Sequence, residues 1–284
     1  MDEKIFTHPK RPKIGLALSG GVALGWAHIG ALKALTEHKI PIDCVAGTSA
    51  GALIAALYAF GVPISKMVAQ SDSLNWYDIF SFSRSRLGLA RNKAVGRLLN
   101  DLIGQKRIEE ANIPLAIMTA NIQTGEKVVL SSGELCPAIT ASSAMPGVFI
   151  PIEINGQMLV DGGVAENLPL SPLYDFGAEL TVGVDLAHFR RRKKPKHAID
   201  VILSTYDILV HSQTHAASSR ADVLIQPHLE EFTAADFKRA DELVAAGYQS
   251  ALEKVPQIIE AARAKIAARA GKSPWDFITH LFEG

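Results

Sequence analysis

The chain lacks the features of a disulfide scaffold, a membrane span or a nucleic-acid-binding protein. Its 284 residues include two cysteines, Cys44 and Cys136, on apolar segments, which suits a reducing cytosol better than a disulfide framework. No run approaches the roughly 18 apolar residues of a membrane-spanning helix. Lys and Arg total 29, as do Asp and Glu, so no net charge attracts nucleic acid. The first residues, MDEKIFTHPKRPK, are too polar for a secretory signal. We therefore expect a cytoplasmic protein that contacts at most the inner face of a membrane.

Two successive units of apolar strand, glycine-rich turn and helix stand near the start of the chain. The run from Ile14 to Leu18 stops at a glycine pair, and apolar residues at helical spacing follow it. A second unit begins near Cys44, and its helix is apolar on all sides. Such units predict an α/β fold in which helices cover both faces of a mostly parallel sheet. Sites in these folds lie at the carboxyl ends of the strands, so both turns should open at one edge.

The second turn has the sequence GTSAG, in which Ser49 lies between Gly47 and Gly51. G-x-S-x-G between a strand and a helix is the nucleophile-elbow pattern, a sharp turn that requires small neighbours. The serine hydroxyl then lies near a helix N-terminus, where backbone amides favour negative charge. The pentapeptide alone is weak evidence, because glycine is common and a tight turn with an incidental serine is the alternative. The strand-to-helix context favours a nucleophile.

The first turn, SGGVALG, offers hydrogen-bond donors at the same sheet edge. An acyl-transfer serine requires amide donors directed at the oxyanion of its intermediate. The backbone N–H groups of Gly20, Gly21 and Val22 are the candidates. A dinucleotide-binding loop is the alternative, but G-x-G-x-x-G is not matched and no acidic residue ends the second strand.

The base that takes the serine proton is predicted to be Asp161. It ends the second strand of a hairpin that turns at an Asn-Gly pair, and Gly162 and Gly163 allow a close backbone approach. Desolvation would raise the pKa of this carboxylate and make it a competent base. A Ser–His–Asp triad is the alternative. However, no histidine after Ser49 lies in a glycine-marked turn directly after a clear strand: these are His188, His197, His211, His215, His228 and His280.

Three motifs in this order, SGGVALGWAHIGALKAL, GTSAG and DGG, resemble those of the patatin-like phospholipases. The segment ASSAMPGVFIP resembles the family segment before the aspartate. The resemblance implies a patatin-like, three-layer α/β/α lipid acyl hydrolase of the phospholipase, lysophospholipase or esterase type, without metal or cofactor. It implies Ser49 as the nucleophile, Asp161 as the general base and the amides of the first glycine turn as the oxyanion hole.

The resemblance covers roughly residues 14–185, which would form the catalytic domain. Residues 65–111, mixed in composition and helical in pattern, are expected to be an excursion that caps the site. Residues 186–284 resemble the α-rich C-terminal extension of bacterial members only loosely, and we expect them to complete the fold.

Two positions depart from the family pattern G-G-G-x-R/K-G. Val22 stands at the third glycine, and Leu24 replaces the basic residue. Valine disfavours positive φ, so a loop that needs φ > 0 there must relax or be strained. These changes keep open a catalytically weak lipid-binding or regulatory module of the same fold. An acyl-enzyme would also allow transfer to an acceptor other than water.

A basic run, RRRKKPK, follows the proposed catalytic domain and carries six basic residues in seven. It is either a solvated loop or a peripheral contact with an anionic membrane, where each cation contributes about 1 kcal/mol. The six residues are Arg190, Arg191, Arg192, Lys193, Lys194 and Lys196.

Overall fold

The computed structural model describes residues 3–71, 81–82, 85, 87–187 and 194–269. Its strands are β1 (Ile14–Leu18), β2 (Cys44–Thr48), β3 (Ser81–Phe82), β4 (Ala90–Arg91), β5 (Leu115–Asn121), β6 (Lys127–Leu130), β7 (Ile152–Ile154), β8 (Gln157–Asp161), β9 (Leu180–Val184) and β10 (Val223–Ile225).

The helices of the described residues are α1 (Glu3–Phe6), α2 (Trp26–Glu37), α3 (Ala50–Ala59), α4 (Ile64–Ser71), α5 (Lys93–Ile103), α6 (Leu135–Ser142), α7 (Ser171–Asp175), α8 (Ala198–Ser218) and α9 (Ala240–Arg269). Short 3₁₀ segments span Val22–Gly25, Ile108–Glu110, Gly162–Val164 and Phe237–Arg239. No described helix combines the length and the hydropathy needed to cross a membrane.

The main sheet runs in the order β10-β9-β1-β2-β5-β8-β7, and β6 pairs with β5 beside this path. The pairs from β10 to β5 are parallel, whereas β6, β8 and β7 pair antiparallel. The predicted α/β class with a mostly parallel sheet is confirmed. The antiparallel edge arises because β7 and β8 form the hairpin at Asn155-Gly156, where both residues have positive φ.

Helices cover both faces of the sheet because side chains alternate along its buried strands. Large aliphatic residues of β1, such as Leu16 and Leu18, join the main core with α2, α3 and α9. Small residues on the opposite face, such as Ala17 and Ala46, pack against Leu170 and Leu173. The result is a three-layer arrangement with the larger core on one side.

The last helix belongs to this main core. Gly30 of α2 and Gly247 of α9 lie in the contact, where an added Cβ would strike the backbone of the opposite helix at Val244 or Ala27 respectively. The absence of side chains therefore lets the two helices approach closely. Residues after 185 also add β10, which pairs with β9.

Strand register brings the ends of β2 and β8 together. Thr48 of β2 pairs with Met118 of β5, and Asp161 of β8 pairs with the next residue, Thr119. β6 occupies the other edge of β5 over residues 117–120, so β2 and β8 share one edge. Their directions are opposite, and their carboxyl ends therefore meet head-on, which places Ser49 beside Asp161.

Candidate active site

Ser49 lies in a strained turn between β2 and α3. Its backbone has φ 53° and ψ −121°, in the positive-φ region that costs a non-glycine residue about 1–3 kcal/mol. The Ser49 N–H donates to Ser142 Oγ at 2.8 Å, and Ser142 Oγ donates to the Met118 carbonyl at 2.7 Å. This buried chain of hydrogen bonds anchors the turn to β5 and helps to hold the strained conformation.

Gly47 and Gly51 are explained by close backbone packing around this turn. An added Cβ at Gly47 would strike the backbone of Gly51 and Ala52. An added Cβ at Gly51 would strike the carbonyls of Leu18 and Ser19 at the end of β1. The small residues of the pentapeptide thus fit the sharp turn against the neighbouring strand.

Asp161 is 1% exposed and accepts three hydrogen bonds. The Gly163 N–H donates to Oδ1 at 2.8 Å, and the hydroxyls of Ser49 and Tyr206 also donate to the carboxylate. Burial raises the pKa of Asp161 to about 6, although these donors act to lower it. The carboxylate is therefore ionised at neutral pH but is far more basic than an exposed aspartate.

Tyr206 is the residue of this cluster that the sequence analysis missed. It lies on α8, and its pKa is raised well above 10 by burial and by the charge of Asp161, so the hydroxyl remains a donor. An added Cβ at Gly163 would strike Tyr206 Oη, which explains the second glycine of the DGG motif. An added Cβ at Gly162 would strike the Met118 carbonyl. The available signal was a tyrosine at an inward position of the α8 helical repeat.

One backbone amide of the first glycine turn already donates a hydrogen bond within the protein. The Gly20 N–H donates to Asn167 Oδ1 at 3.1 Å, so this amide is already paired. The N–H groups of Gly21 and Val22 donate to no acceptor among the described residues. Of the three predicted oxyanion donors, these two remain available to a ligand.

Val22 adopts φ 52°, so the turn keeps a positive φ at a β-branched residue. The loop is strained rather than relaxed at this position. Leu24, the second departure from the family pattern, is 6% exposed and belongs to the main core. It therefore stabilises the fold as an apolar residue where the family pattern has a cation.

Two buried polar side chains brace this turn from behind. Asn167 accepts from Gly20 and donates from Nδ2 to Thr214 Oγ1 on α8 at 2.9 Å. His28 Nε2 donates to the Ser19 carbonyl at 2.7 Å. Burial lowers the pKa of His28 to about 4, so this histidine is neutral near pH 7. α8 therefore supports the glycine turn through Asn167 and contacts the predicted base through Tyr206.

A cavity of about 100 Å³ lies beside Ser49 and Asp161. Its wall is mostly apolar, and no histidine is among the described residues that line it. The lining residues are Val22, Gly25, Trp26, Ser49, Ala50, Leu53, Ile54, Asn92, Val95, Leu98, Ser143, Met145, Asp161 and Phe237. Three of them, Asn92, Val95 and Leu98, come from the predicted excursion of residues 65–111. The geometry therefore offers a hydroxyl, a basic carboxylate and Val22 at an apolar cavity, with the Gly21 amide next to Val22 in the chain.

The membrane contact of the basic run, residues 190–196, stays a prediction. Arg190, Arg191, Arg192 and Lys193 lie outside the described residues. Lys194 and Lys196 are described and are exposed just before α8.

More than half of the chain matches the model of a known protein family. The family model of patatin-like phospholipases matches residues 16–174. A protein of Mycobacterium tuberculosis named as an uncharacterized NTE family protein is 35% identical over 178 residues, covering 62% of this chain and 49% of the relative. Lysophospholipase NTE1 of Pyricularia oryzae is 28% identical over 301 aligned positions, covering 92% of this chain and 20% of the relative. The chain thus spans about half the length of the first relative and about a fifth of the length of the second.

Solved structures share the fold at low sequence identity. VipD from Legionella pneumophila superposes with a TM-score of 0.60 at 15% identity, covering 89% of this chain and 67% of VipD. ExoU in its complex with SpcU, from the type III secretion system of Pseudomonas aeruginosa, gives a TM-score of 0.51 at 16% identity. That match covers 88% of this chain and 53% of the other chain. These likenesses show the architecture alone.

Proposed function

Because the chain belongs to the patatin-like phospholipase family, we propose that it hydrolyses lipid acyl esters with a Ser49–Asp161 dyad. The observation that carries the proposal is the hydrogen bond from the Ser49 hydroxyl to a buried carboxylate whose pKa is about 6. A base with this pKa accepts a proton at neutral pH more readily than an ordinary aspartate does. The names of the NTE relatives favour a lysophospholipid or a similar lipid as the ester.

In the proposed reaction, Ser49 Oγ attacks the carbonyl carbon of the ester while Asp161 takes the hydroxyl proton. The N–H groups of Gly21 and Val22 donate to the oxyanion of the tetrahedral intermediate. The intermediate collapses, the C–O bond to the alcohol breaks, and Asp161 returns its proton to the leaving alkoxide. Water then attacks the acyl-enzyme with Asp161 again as the base, which releases the fatty acid and restores Ser49.

The apolar cavity supports an acyl chain as the group bound beside Ser49. Leu53, Ile54 and Leu98 present aliphatic surface to it, and burial of a chain against such surface contributes about 0.8 kcal/mol per methylene. The contribution of Asn92, Val95 and Leu98 also supports residues 65–111 as a cap over the site.

The strained Val22 bears on the alternative of a weak binding module. That alternative supposes that valine disables the oxyanion loop by pulling it out of positive φ. Val22 holds φ 52° and its amide stays available, which supports a working loop and an enzyme.

Fatty-acid release from a panel of lipids tests the proposal. Purified wild type is incubated with lysophosphatidylcholine, phosphatidylcholine, triacylglycerol and p-nitrophenyl butyrate, and the acids are measured by mass spectrometry. Ser49→Ala should lower the rate at least about a thousandfold. Ser143→Ala is the matched control, because Ser143 also lines the cavity, and it should retain activity within a few fold. A folded wild type that releases no acid from any of these esters would contradict the proposal.

A further inference from the structure

We propose that the outward side of α8 is the surface with which the protein docks on a lipid bilayer. Four aliphatic side chains of this helix are unusually exposed: Val201 at 53%, Ile202 at 43%, Ile208 at 59% and Leu209 at 39%. We call these four residues the aliphatic face of α8. The proposal rests on the proposed lipid substrate and adds the surface that brings the protein to it.

The aliphatic face forms one stripe. At 100° per residue, Val201 and Ile208 lie almost on one line along the helix, and Ile202 and Leu209 lie on a parallel line beside it. The remaining positions of this arc are Ala198, Thr205, Ser212 and Ala216, so it carries no charged residue. On the other side of the helix, Ile199 and Leu203 pack against the protein. α8 therefore presents aliphatic side chains to the solvent as well as to the protein, which a helix that only covers a core does not need.

Two exposed leucines lie on another segment near the aliphatic face. Leu87 is 57% exposed and Leu89 is 51% exposed. The Leu89 N–H donates to the Val148 carbonyl at 2.9 Å, and an added Cβ at Gly147 would lie 3.1 Å from Ile202 Cγ2. Leu89 and Ile202 are thus both neighbours of the segment that contains Gly147 and Val148.

The face lies next to the proposed site. The inward side of α8 places the Tyr206 hydroxyl on Asp161 and Thr214 on Asn167, which braces the first glycine turn. A helix with its side chains is about 10 Å across, so the aliphatic face lies about that far from the base. Met145, which lines the cavity, also packs in the cluster of Ile199 and Leu203.

The cationic residues next to the aliphatic face favour a lipid bilayer as its partner over an apolar protein surface. Exposed Lys194 and Lys196 stand at the amino end of α8, at the end of a run with six basic residues in seven. A charge-free aliphatic stripe that begins at a cationic end matches an anionic bilayer, in which headgroups attract lysines and acyl chains take aliphatic side chains.

Vesicle flotation with the full chain tests this surface. The probe is vesicles of phosphatidylcholine with phosphatidylglycerol, and the variant is the double substitution Val201→Gln with Ile208→Gln. Glutamine keeps helix propensity, so α8 should persist. Loss of two inserted aliphatic side chains should weaken vesicle binding about tenfold or more. Tyr174→Gln is the matched control, because Tyr174 is 43% exposed like Ile202 but lies on α7, and it should bind like wild type.

Hydrolysis of p-nitrophenyl butyrate in solution is measured on the same samples. The double variant should keep this activity, because the substituted side chains contact neither Ser49 nor Asp161. Single Ile208→Gln provides a second, milder variant, which should weaken binding by less than the double variant. Wild type that hydrolyses no ester but floats in a manner sensitive to these substitutions would contradict the proposed function and uphold the docking surface.

Two results would overturn the docking proposal. One is a folded double variant that floats with vesicles as well as wild type. The other is a wild type that elutes as a dimer on size exclusion and becomes a monomer on substitution, which would assign the face to a second copy of the chain.

Discussion

Tyr206 and Asp161 are joined by a hydrogen bond in which the buried tyrosine hydroxyl donates to the carboxylate. Tyr206 is not among the described residues that line the cavity, so we assign it as a positioning residue. Its hydroxyl and that of Ser49 both donate to the carboxylate. The hydrogen bond also favours the ionised form of Asp161 and opposes the effect of burial on its pKa.

Tyr206→Phe should therefore raise the pKa of Asp161 further. The acidic limb of the kcat/KM profile lies near pH 6 in wild type if Asp161 is the base, and it should move to higher pH in the variant. The loss of activity should be largest near pH 6 and smaller in alkaline solution. Tyr174→Phe, which removes an exposed hydroxyl bound to the Arg220 carbonyl, should leave the profile in place. An unchanged acidic limb in Tyr206→Phe would contradict the assignment.

Gly163→Ala should destabilise the protein through a contact with the same hydroxyl. The added Cβ strikes Tyr206 Oη, whereas its next neighbours, Asp161 Oδ1 and Val210 Cγ2, are both 3.2 Å away. In a Tyr206→Phe background the hydroxyl is absent, so the cost of Gly163→Ala should fall by about 1 kcal/mol or more. Urea unfolding of the four proteins in this double-mutant cycle measures the coupling. Strictly additive free energies of unfolding would show that the contact is not the cause.

Val22→Gly should raise the free energy of unfolding by about 1 kcal/mol. Removing the strain of φ 52° at valine gains about 1–3 kcal/mol, and the flexibility of glycine in the unfolded chain offsets part of it. Val95→Gly is the matched control, because Val95 also lines the cavity but lies within α5. It should lower stability by about 1 kcal/mol or more. A loss of stability in both variants would show that Val22 is not strained.

Asp161→Asn should stabilise the folded protein at neutral pH while it abolishes hydrolysis. The pKa of Asp161 is about 6 in the folded protein, whereas its ordinary value is 3.8. Between pH 3.8 and about 6, the folded state therefore binds more protons than the unfolded state. The contribution of Asp161 to stability is therefore lost as the pH rises through this window. The variant should match wild type near pH 4 and exceed it by about 2 kcal/mol above pH 7.

Asp43→Asn serves as a control of opposite sign for that measurement. Burial acts to raise the pKa of Asp43, but the hydrogen bonds from Arg11 and the Ile14 N–H, with the charges of Arg11 and Lys13, together hold it below its ordinary value. Asp43 therefore contributes stability at neutral pH that is lost as the pH falls. Denaturant unfolding at several pH values should show the two variants diverging from wild type in opposite directions. Equal pH slopes for Asp161→Asn and wild type would contradict the raised pKa.

The sequence located the elbow and the hairpin aspartate because their signals are local. GTSAG is recognisable from five residues between a strand and a helix, and DGG follows an Asn-Gly hairpin. Their meeting depends instead on β5, whose adjacent residues Met118 and Thr119 pair with strands that arrive from opposite directions. No periodicity in the sequence reports that register.

The residues that support the site could not be predicted from the sequence for a similar reason. Asn167 accepts a hydrogen bond from the Gly20 N–H, and Tyr206 donates one to Asp161. Each of these residues is distant in the chain from its hydrogen-bond partner. A polar residue finds such a partner only through the tertiary structure. The strain at Val22 was foreseen as one of two outcomes, and the backbone geometry decided between them.

Covalent labelling with a fluorophosphonate probe tests the dyad most directly. The probe reacts with an activated serine, so mass spectrometry should locate it on Ser49 in wild type and find none in Ser49→Ala. The labelling rate should rise with pH through about 6, the pKa of Asp161, and should collapse in folded Asp161→Asn. Labelling at another residue, or wild-type labelling kinetics in Asp161→Asn, would contradict the claim that Asp161 activates Ser49.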